Sequence, residues 1–215
     1  MSKRIFISAT NTDIGKSYTT KKMLQHYASL GYRVGAFKPI ETGVIDGYAP
    51  DGVMLLEQIK LLNPALKTFT LDDIVPIQYE LPAAPFVASN NTPLDLQKIH
   101  NRLKKLEALC DIVLIEGAGG LLVPIDEKMM MIDLAEYFEA TVLLVTHCSL
   151  GCINDTLLSE RVLQERKLNY QCVFNCRVND SSFASVSEPY FLKTGKKVLK
   201  VSDDIDTLCE LLYNC

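Results

Sequence analysis

The chain has 215 residues, 48% of them hydrophobic and 22% charged, enough for one domain with a substantial core and ordinary for a globular protein. A formal net charge of −4 gives no reason to expect nucleic acid or an anionic membrane as partner, and no apolar run approaches the roughly 20 residues that span a bilayer. The seven cysteines are scattered and odd in number, and "MSKRIFIS" runs straight into a strand-like segment; free thiols in a reducing cytoplasm, with no secretory leader, are therefore expected.

In chain order, the apolar runs predict strands over 4–9, 33–39, 111–117, 141–147, 171–175 and 197–202. They are dense in Val, Ile, Leu and Phe rather than alternating with polar residues, the pattern of strands buried on both faces of a parallel sheet. Amphipathic stretches predict helices over 16–30 (stopped by Gly31), 51–62 (stopped by Asn63-Pro64), 94–109, 131–139, 153–167 and 204–213. Residues 64–93, rich in proline, read as an irregular surface excursion with one short strand at "IVPIQY". The alternation predicts a single α/β domain over 1–215, a mostly parallel sheet flanked by helices, of the P-loop NTPase kind. Ligands of such sheets bind beyond the carboxyl ends of the strands.

What stands at those ends carries chemistry. After the first run comes "ATNTDIGKSY", ending in the Gly15-Lys16-Ser17 of a phosphate loop, with Thr10 where the usual loop opens on glycine. Backbone N–H groups of such a turn, and the helix that follows, hold anions; Lys16 would reach the β- and γ-phosphates and Ser17 would face Mg²⁺. After the second run, "FKPIETG" places Lys38 where a second ammonium group can neutralise phosphate charge. The third run delivers Glu116 ahead of Gly117-Ala118-Gly119-Gly120, a carboxylate placed to hold Mg²⁺ beside small residues that let backbone approach a ligand. After the fourth run, "SLGCIND" opens another helix; by spacing alone it is a plain helix start. Cys148 with Cys152, and Cys172 with Cys176, lack CxxC spacing and have only His147 nearby, so they read as buried apolar thiols rather than metal ligands.

Taken together and in this order, "TNTDIGKS", "FKPIETG", "IEGAGGLLVPI" and "SLGCIND" resemble the dethiobiotin synthetase family, over about residues 1–180. Its phosphate loop is one residue longer than the common form, with glycine at the place of Ala9; alanine there is this chain's departure, tolerable where φ is negative. The resemblance implies that 7,8-diaminononanoate, CO₂ and ATP give dethiobiotin, ADP and phosphate through a phosphorylated carbamate. It implies Lys16, Lys38 and Thr12 at the reacting groups. It implies Asp13, Ile14, Gly15, Lys16, Ser17, Tyr18, Asp51, Glu116, Gly117, Ala118, Gly119, Asn175 and Cys176 around Mg·ATP, with Ser17, Asp51 and Glu116 as the metal ligands. Asp46 competes with Asp51, which is favoured because an amphipathic helix follows it directly.

Thr42 matches the Ser/Thr beside the substrate amines, and Leu150, Gly151, Cys152 and Asn154 match the helix start that takes the substrate carboxylate across a homodimer interface. The segment for the base departs from the family: Cys176-Arg177 replaces an acidic continuation, so weaker discrimination between ATP and other nucleoside triphosphates is expected. Phe86 stands where relatives often carry histidine. The alternative reading is an ATPase switch or nucleotide-binding regulator of the same fold. The partition-type switches need a second lysine early in the loop, where this chain has Asn11.

Overall fold

The computed structural model describes residues 2–90 and 92–215; Met1, and Asn91 inside the expected irregular stretch, lie outside the described residues. The chain runs β1 (Lys3–Ala9), α1 (Lys16–Ser29), β2 (Val34–Phe37), β3 (Ile40–Thr42) and α2 (Pro50–Leu62). It continues through a 3₁₀ turn at Pro64–Leu66, α3 (Leu71–Ile74), β4 (Ile77–Tyr79), α4 (Pro85–Ala88), α5 (Leu96–Glu107) and β5 (Ile112–Gly120). The last part comprises α6 (Met131–Tyr137), β6 (Thr141–His147), α7 (Cys152–Glu165), β7 (Tyr170–Asn175), α8 (Phe183–Val186), α9 (Glu188–Lys193) and α10 (Ile205–Asn214).

Five strands form one parallel sheet in the order β2-β5-β1-β6-β7. Their apolar side chains are buried on both faces, with Ile5, Phe6, Ile7, Val113, Leu114, Ile115, Leu143 and Leu144 all fully inaccessible, as the unbroken apolar runs require. The chain leaves the central β1 toward one side and later returns to its other side at β6. That reversal opens a crevice at the carboxyl ends, where the phosphate-loop segment emerges. Among the described residues no helix is long and apolar enough to cross a membrane.

Asn63 shows how the sequence stops a helix and ties it down. Its amide nitrogen donates to the carbonyls of Val34 (3.1 Å) and Leu109 (3.2 Å), and its side-chain oxygen accepts from Ala65 N–H. One buried amide thereby serves three backbone groups that would otherwise lose hydration.

Three expectations need correction. Residues 197–202 make no strand: the only pairing is a bridge between Phe174 and Lys200, because Asp204 accepts the Lys200 N–H (2.8 Å) and turns the chain away. The third apolar run does not end at Gly117; β5 continues to Gly120, and its register against β1 shifts between Ile7 and Ala9. Nor are all thiols free, since Cys148 and Cys176 form a disulfide. Parallel β6 and β7 pair His147 with Asn175, so the next residues emerge side by side, with Cα atoms 4.9 Å apart. A separation of 28 residues conceals that adjacency in the sequence. Cys110 and Cys209 are buried free thiols, pushed by burial up to about 12.

The stretch 64–93 also carries more structure than expected. Beside the anticipated β4 it contains α3 and α4, and β4 pairs with β3 in a second, two-stranded parallel sheet. Asp73 fixes α3: its carboxylate accepts from Thr70 N–H (2.9 Å) and Thr70 Oγ1 (3.0 Å), and it meets Lys105 (2.6 Å) and Arg102 (3.1 Å) of α5. Burial alone would raise the Asp73 pKa, but the bonds from Lys105 and Thr70 outweigh it and the value is lowered. Its contribution to stability is therefore present above the unfolded carboxylate range near ~3.9 and is lost as pH falls through the lower folded value. Asp73→Ala is expected to cost about 1–3 kcal/mol at neutral pH. The difference should shrink toward zero in strong acid, read as urea midpoints for both proteins across pH.

Candidate active site

The phosphate loop grows out of β1. Ala9 remains in the strand, paired with Val145 and Gly120, so the methyl group that replaces the family's glycine sits in extended backbone. The close approach falls on the neighbour instead: a Cβ on Gly120 would lie 3.2 Å from the Ala9 carbonyl oxygen. Within the loop the left-handed residues are Asp13 (φ 58°) and Gly15 (φ 106°). A side chain on Gly15 would drive into the Asn175 amide at 2.0 Å, so glycine is required there on both counts. Lys16 opens α1 and curls back over the loop, its Nζ 3.4 Å from the Asn11 carbonyl. Burial lowers its pKa, Glu116 opposes that shift, and Lys38 reinforces it.

Beside the loop, four elements converge on one charge cluster. Glu116 on β5 is fully inaccessible; its Oε2 accepts from Thr20 Oγ1 on α1 (2.7 Å) and its Oε1 from Lys38 Nζ (2.9 Å). Lys38 follows β2, its backbone N–H held by the Ile74 carbonyl (2.8 Å) and its Nζ 2.5 Å from Asp51 Oδ2 on the first turn of α2. Ser17 Oγ lies 2.8 Å from Glu116 Oε1 and 3.1 Å from Asp51 Oδ1, and its single proton serves one of them at a time. Desolvation would lower the pKa of Lys38, but the facing Glu116 and Asp51 carboxylates outweigh it and hold the ammonium charged. Desolvation would raise that of Asp51, and Lys38 and Ser17 bring it below the usual carboxylate range.

One hydroxyl and two carboxylates converging beside a phosphate loop suit Mg²⁺, which usually takes one or two carboxylates and completes its shell with waters and substrate phosphates. Asp46, the alternative to Asp51, lies in an exposed turn at φ 50° and joins none of these contacts.

The cluster floors a cleft of about 900 Å³. Thr12, Asp13, Gly15, Lys16, Ser17 and Tyr18 line one side of it; Lys38, Thr42 and Asp51 line another. Ala118 and Gly119 of β5 and Pro82 to Pro85 form a further part of its wall. Phe86 follows that proline-bounded segment, its backbone N–H tied to the Pro124 carbonyl (3.1 Å).

Several expected residues stand elsewhere. Glu116 lies behind Lys38, and Gly117 packs under the sheet, where a Cβ would meet Phe6 at 3.1 Å and Met131 at 3.2 Å. Asn175 uses its amide to hold the loop, donating to the Ile14 carbonyl at 2.8 Å, and Cys176 is taken up in the disulfide. Leu150, Gly151, Cys152 and Asn154 sit at the start of α7 and do not line this cleft; Cys152 is buried and Leu150 is 87% exposed.

Three residues in or at the site were not among the candidates read from the sequence. Thr20 binds Glu116, and its place one helical turn after Lys16 is a usable signal. Arg177 lines the cleft and donates to the Asp13 carbonyl, a contact across 164 residues with no local signature. Glu41 also lines the cleft, and its bonds to the start of α2 could be read only after folding.

A family model described as an AAA domain matches residues 3–210. The chain is 44% identical, over 87% of its length and 89% of the relative's, to a protein of Sulfurovum sp. named ATP-dependent dethiobiotin synthetase. It is 38% identical to one of the same name from Wolinella succinogenes, covering 99% of both chains. It is 32% identical to another from Methanocaldococcus jannaschii, over 93% of this chain and 89% of the relative.

Among solved structures, a plasmid partition protein from Borrelia burgdorferi superposes with a TM-score of 0.60 at 12% identity, covering 99% of this chain and 98% of that one. The MinD cell division protein of Aquifex aeolicus does so at 0.52 and 16%, covering 97% and 86%. At these identities the structural likeness concerns the fold.

Proposed function

The chain belongs to the family of ATP-dependent dethiobiotin synthetases, and from that premise we propose how its cleft carries out the ligation. One amine of 7,8-diaminononanoate adds to CO₂, forming a C–N bond and losing a proton, to give a carbamate. A carbamate oxygen then attacks the γ-phosphorus of ATP and ADP departs with the bridging electrons. The second amine attacks the carbamoyl carbon and loses a proton, the bond from that carbon to the phosphate oxygen breaks with its electrons leaving on phosphate, and the cyclic urea and inorganic phosphate remain.

The carbamate oxygen is already a nucleophile, so the chemistry asks for positioning and charge neutralisation rather than a nucleophilic side chain. The single observation that carries the reading is the juxtaposition of Lys16, Lys38, Ser17 and Asp51 in the cleft beside one phosphate loop, with the buried Glu116 directly behind Lys38 and Ser17. Lys16 and Lys38 draw the transferred phosphoryl group and the carbamate together. The backbone at Thr12 and Asp13 and the Thr12 hydroxyl hold oxyanions, and Thr42 faces the substrate amines. Ser17, Asp51 and Glu116 would hold Mg²⁺, which would supply positive charge against the triphosphate as its leaving group departs.

The start of α7, with Leu150 exposed and outside this cleft, supports a homodimer in which Gly151 and Asn154 of one copy reach the substrate carboxylate of the other. A cytoplasmic location belongs to the same reading.

Base selectivity is expected to be weak. Asn175 is engaged with the loop, Cys176 is in the disulfide, and Arg177, where the family pattern continues with an acidic residue, turns to the Asp13 carbonyl. Competing ATP, GTP, CTP and UTP in one reaction checks this, and exclusive use of ATP would refute it. The reaction itself is tested by phosphate release from Mg·ATP and bicarbonate with and without the diamine; release that ignores the diamine would favour a switch.

A further inference from the structure

We propose that Glu41 is a positioning residue that fixes Asp51 in place by anchoring the first turn of α2. Its carboxylate is buried, and both oxygens are engaged: Oε1 accepts from Asp51 N–H at 2.9 Å and Oε2 from Gly52 N–H at 2.8 Å.

The helix start depends on these bonds. The residue before α2, Ala49, has no side chain to cap it, and Pro50 brings no N–H, so Asp51 and Gly52 are the first donors left without partners inside the helix. A charged acceptor supplies both at once, in the place where a negative charge also opposes the helix dipole favourably. Gly52 makes room for it: a Cβ there would meet Glu41 Oε2 at 3.0 Å and Val75 Cγ2 at 2.4 Å.

The anchor acts on the site because the residue it holds by the backbone is the one whose side chain meets Lys38 and Ser17. Glu41 stands on β3, braced by pairing with Gln78 of β4, and the next residue along β3 is Thr42. One short strand therefore carries both the expected substrate contact and the brace of Asp51. Each Glu41 oxygen is committed to a backbone N–H of α2, whereas Asp51 and Glu116 meet the side chains of Lys38 and Ser17. The inference rests on the reading of Asp51 as a cation ligand.

The test compares wild type, Glu41→Gln, Glu41→Ala and Asp51→Asn. Mn²⁺ binding to the ADP-loaded protein is followed by electron paramagnetic resonance, beside Mg²⁺ titrations of turnover and ADP binding in chelator. Glu41→Ala is expected to weaken Mn²⁺ binding and raise the Mg²⁺ requirement about 10- to 100-fold, as loss of outer support of a metal ligand does. Turnover at saturating Mg²⁺ and ADP affinity in chelator should stay near wild type. Glu41→Gln, which keeps one acceptor and the shape, should move in the same direction by less and provides the readout if the alanine variant does not fold.

Unchanged Mn²⁺ binding in both Glu41 variants, with Asp51→Asn weakened, overturns the positioning role alone. Turnover lost at saturating Mg²⁺ with Mn²⁺ affinity intact overturns it in favour of direct action on substrate. Asp51→Asn binding Mn²⁺ as wild type removes the underlying cation reading.

Discussion

Lys38→Ala is expected to lower diamine-dependent turnover by about 10²–10³, the usual size for removing one preorganised charge from a developing anion. The KM for nucleotide should change little, because the backbone of the loop and Lys16 hold the phosphates without it. The structure adds a second consequence that activity alone would hide. Lys38 is 3% exposed and neutralises Glu116, which is fully inaccessible. Deleting the ammonium leaves that carboxylate buried without its principal counter-charge, a loss of about 3–5 kcal/mol when a buried pair is broken from one side. A divalent cation seated on the same carboxylates restores the balance, so Mg²⁺ should raise the variant's melting temperature far more than that of wild type. Thermal unfolding with and without Mg²⁺, beside steady-state kinetics, checks both parts; near-normal turnover would refute the role given to Lys38.

Glu116→Gln separates charge from shape at the centre of the site. The Gln oxygen can still accept from Lys38 and Ser17, and Thr20 Oγ1 has lone pairs to receive the new amide hydrogen, so the fold should persist. The lost charge is different in kind. The Mg²⁺ concentration giving half-maximal turnover should rise by about 10-fold or more, with kcat reduced even at saturation, because in the proposed site Glu116 is itself a cation ligand and not merely the support of one. An Mg²⁺ titration of turnover decides this. An unchanged requirement would remove Glu116 from the metal set and leave it as a counter-ion for Lys38. This pattern also differs from that expected of Glu41 variants, in which kcat recovers once the cation saturates.

The parts of the fold written in local pattern were readable before folding. Five of six apolar runs became strands of one parallel sheet, because side chains buried on both faces leave no polar alternation, and the Lys16 and Cys152 helices start where the loops suggested. The run 197–202 misled because its apolar content matches a strand, while a local turn, in which the Asp204 carboxylate accepts the Lys200 N–H four residues back, competes with pairing.

Strand β3 was hard to see for the opposite reason, while β4 was anticipated within "IVPIQY". Each is three residues long, below the length at which periodicity speaks, and they exist through pairing with each other. In the site, residues within motifs were legible, and residues that act by reaching across the chain were not. Asp51 could be chosen over Asp46 by the helix behind it, but Glu41's grip on that helix and Cys148's pairing with Cys176 depend on strand register.

The most direct test of carbamate phosphorylation follows oxygen rather than rate. With ¹⁸O-labelled bicarbonate, unlabelled ATP and the diamine, in turnovers brief enough to outrun exchange with water, the bridging carbamate oxygen leaves on phosphorus. Each phosphate released should therefore carry one ¹⁸O, and the cyclic urea should retain label at its carbonyl. Label-free phosphate formed alongside labelled urea would mean that ATP is split by water and that the two lysines and the phosphate loop do not join carbamate to phosphorus.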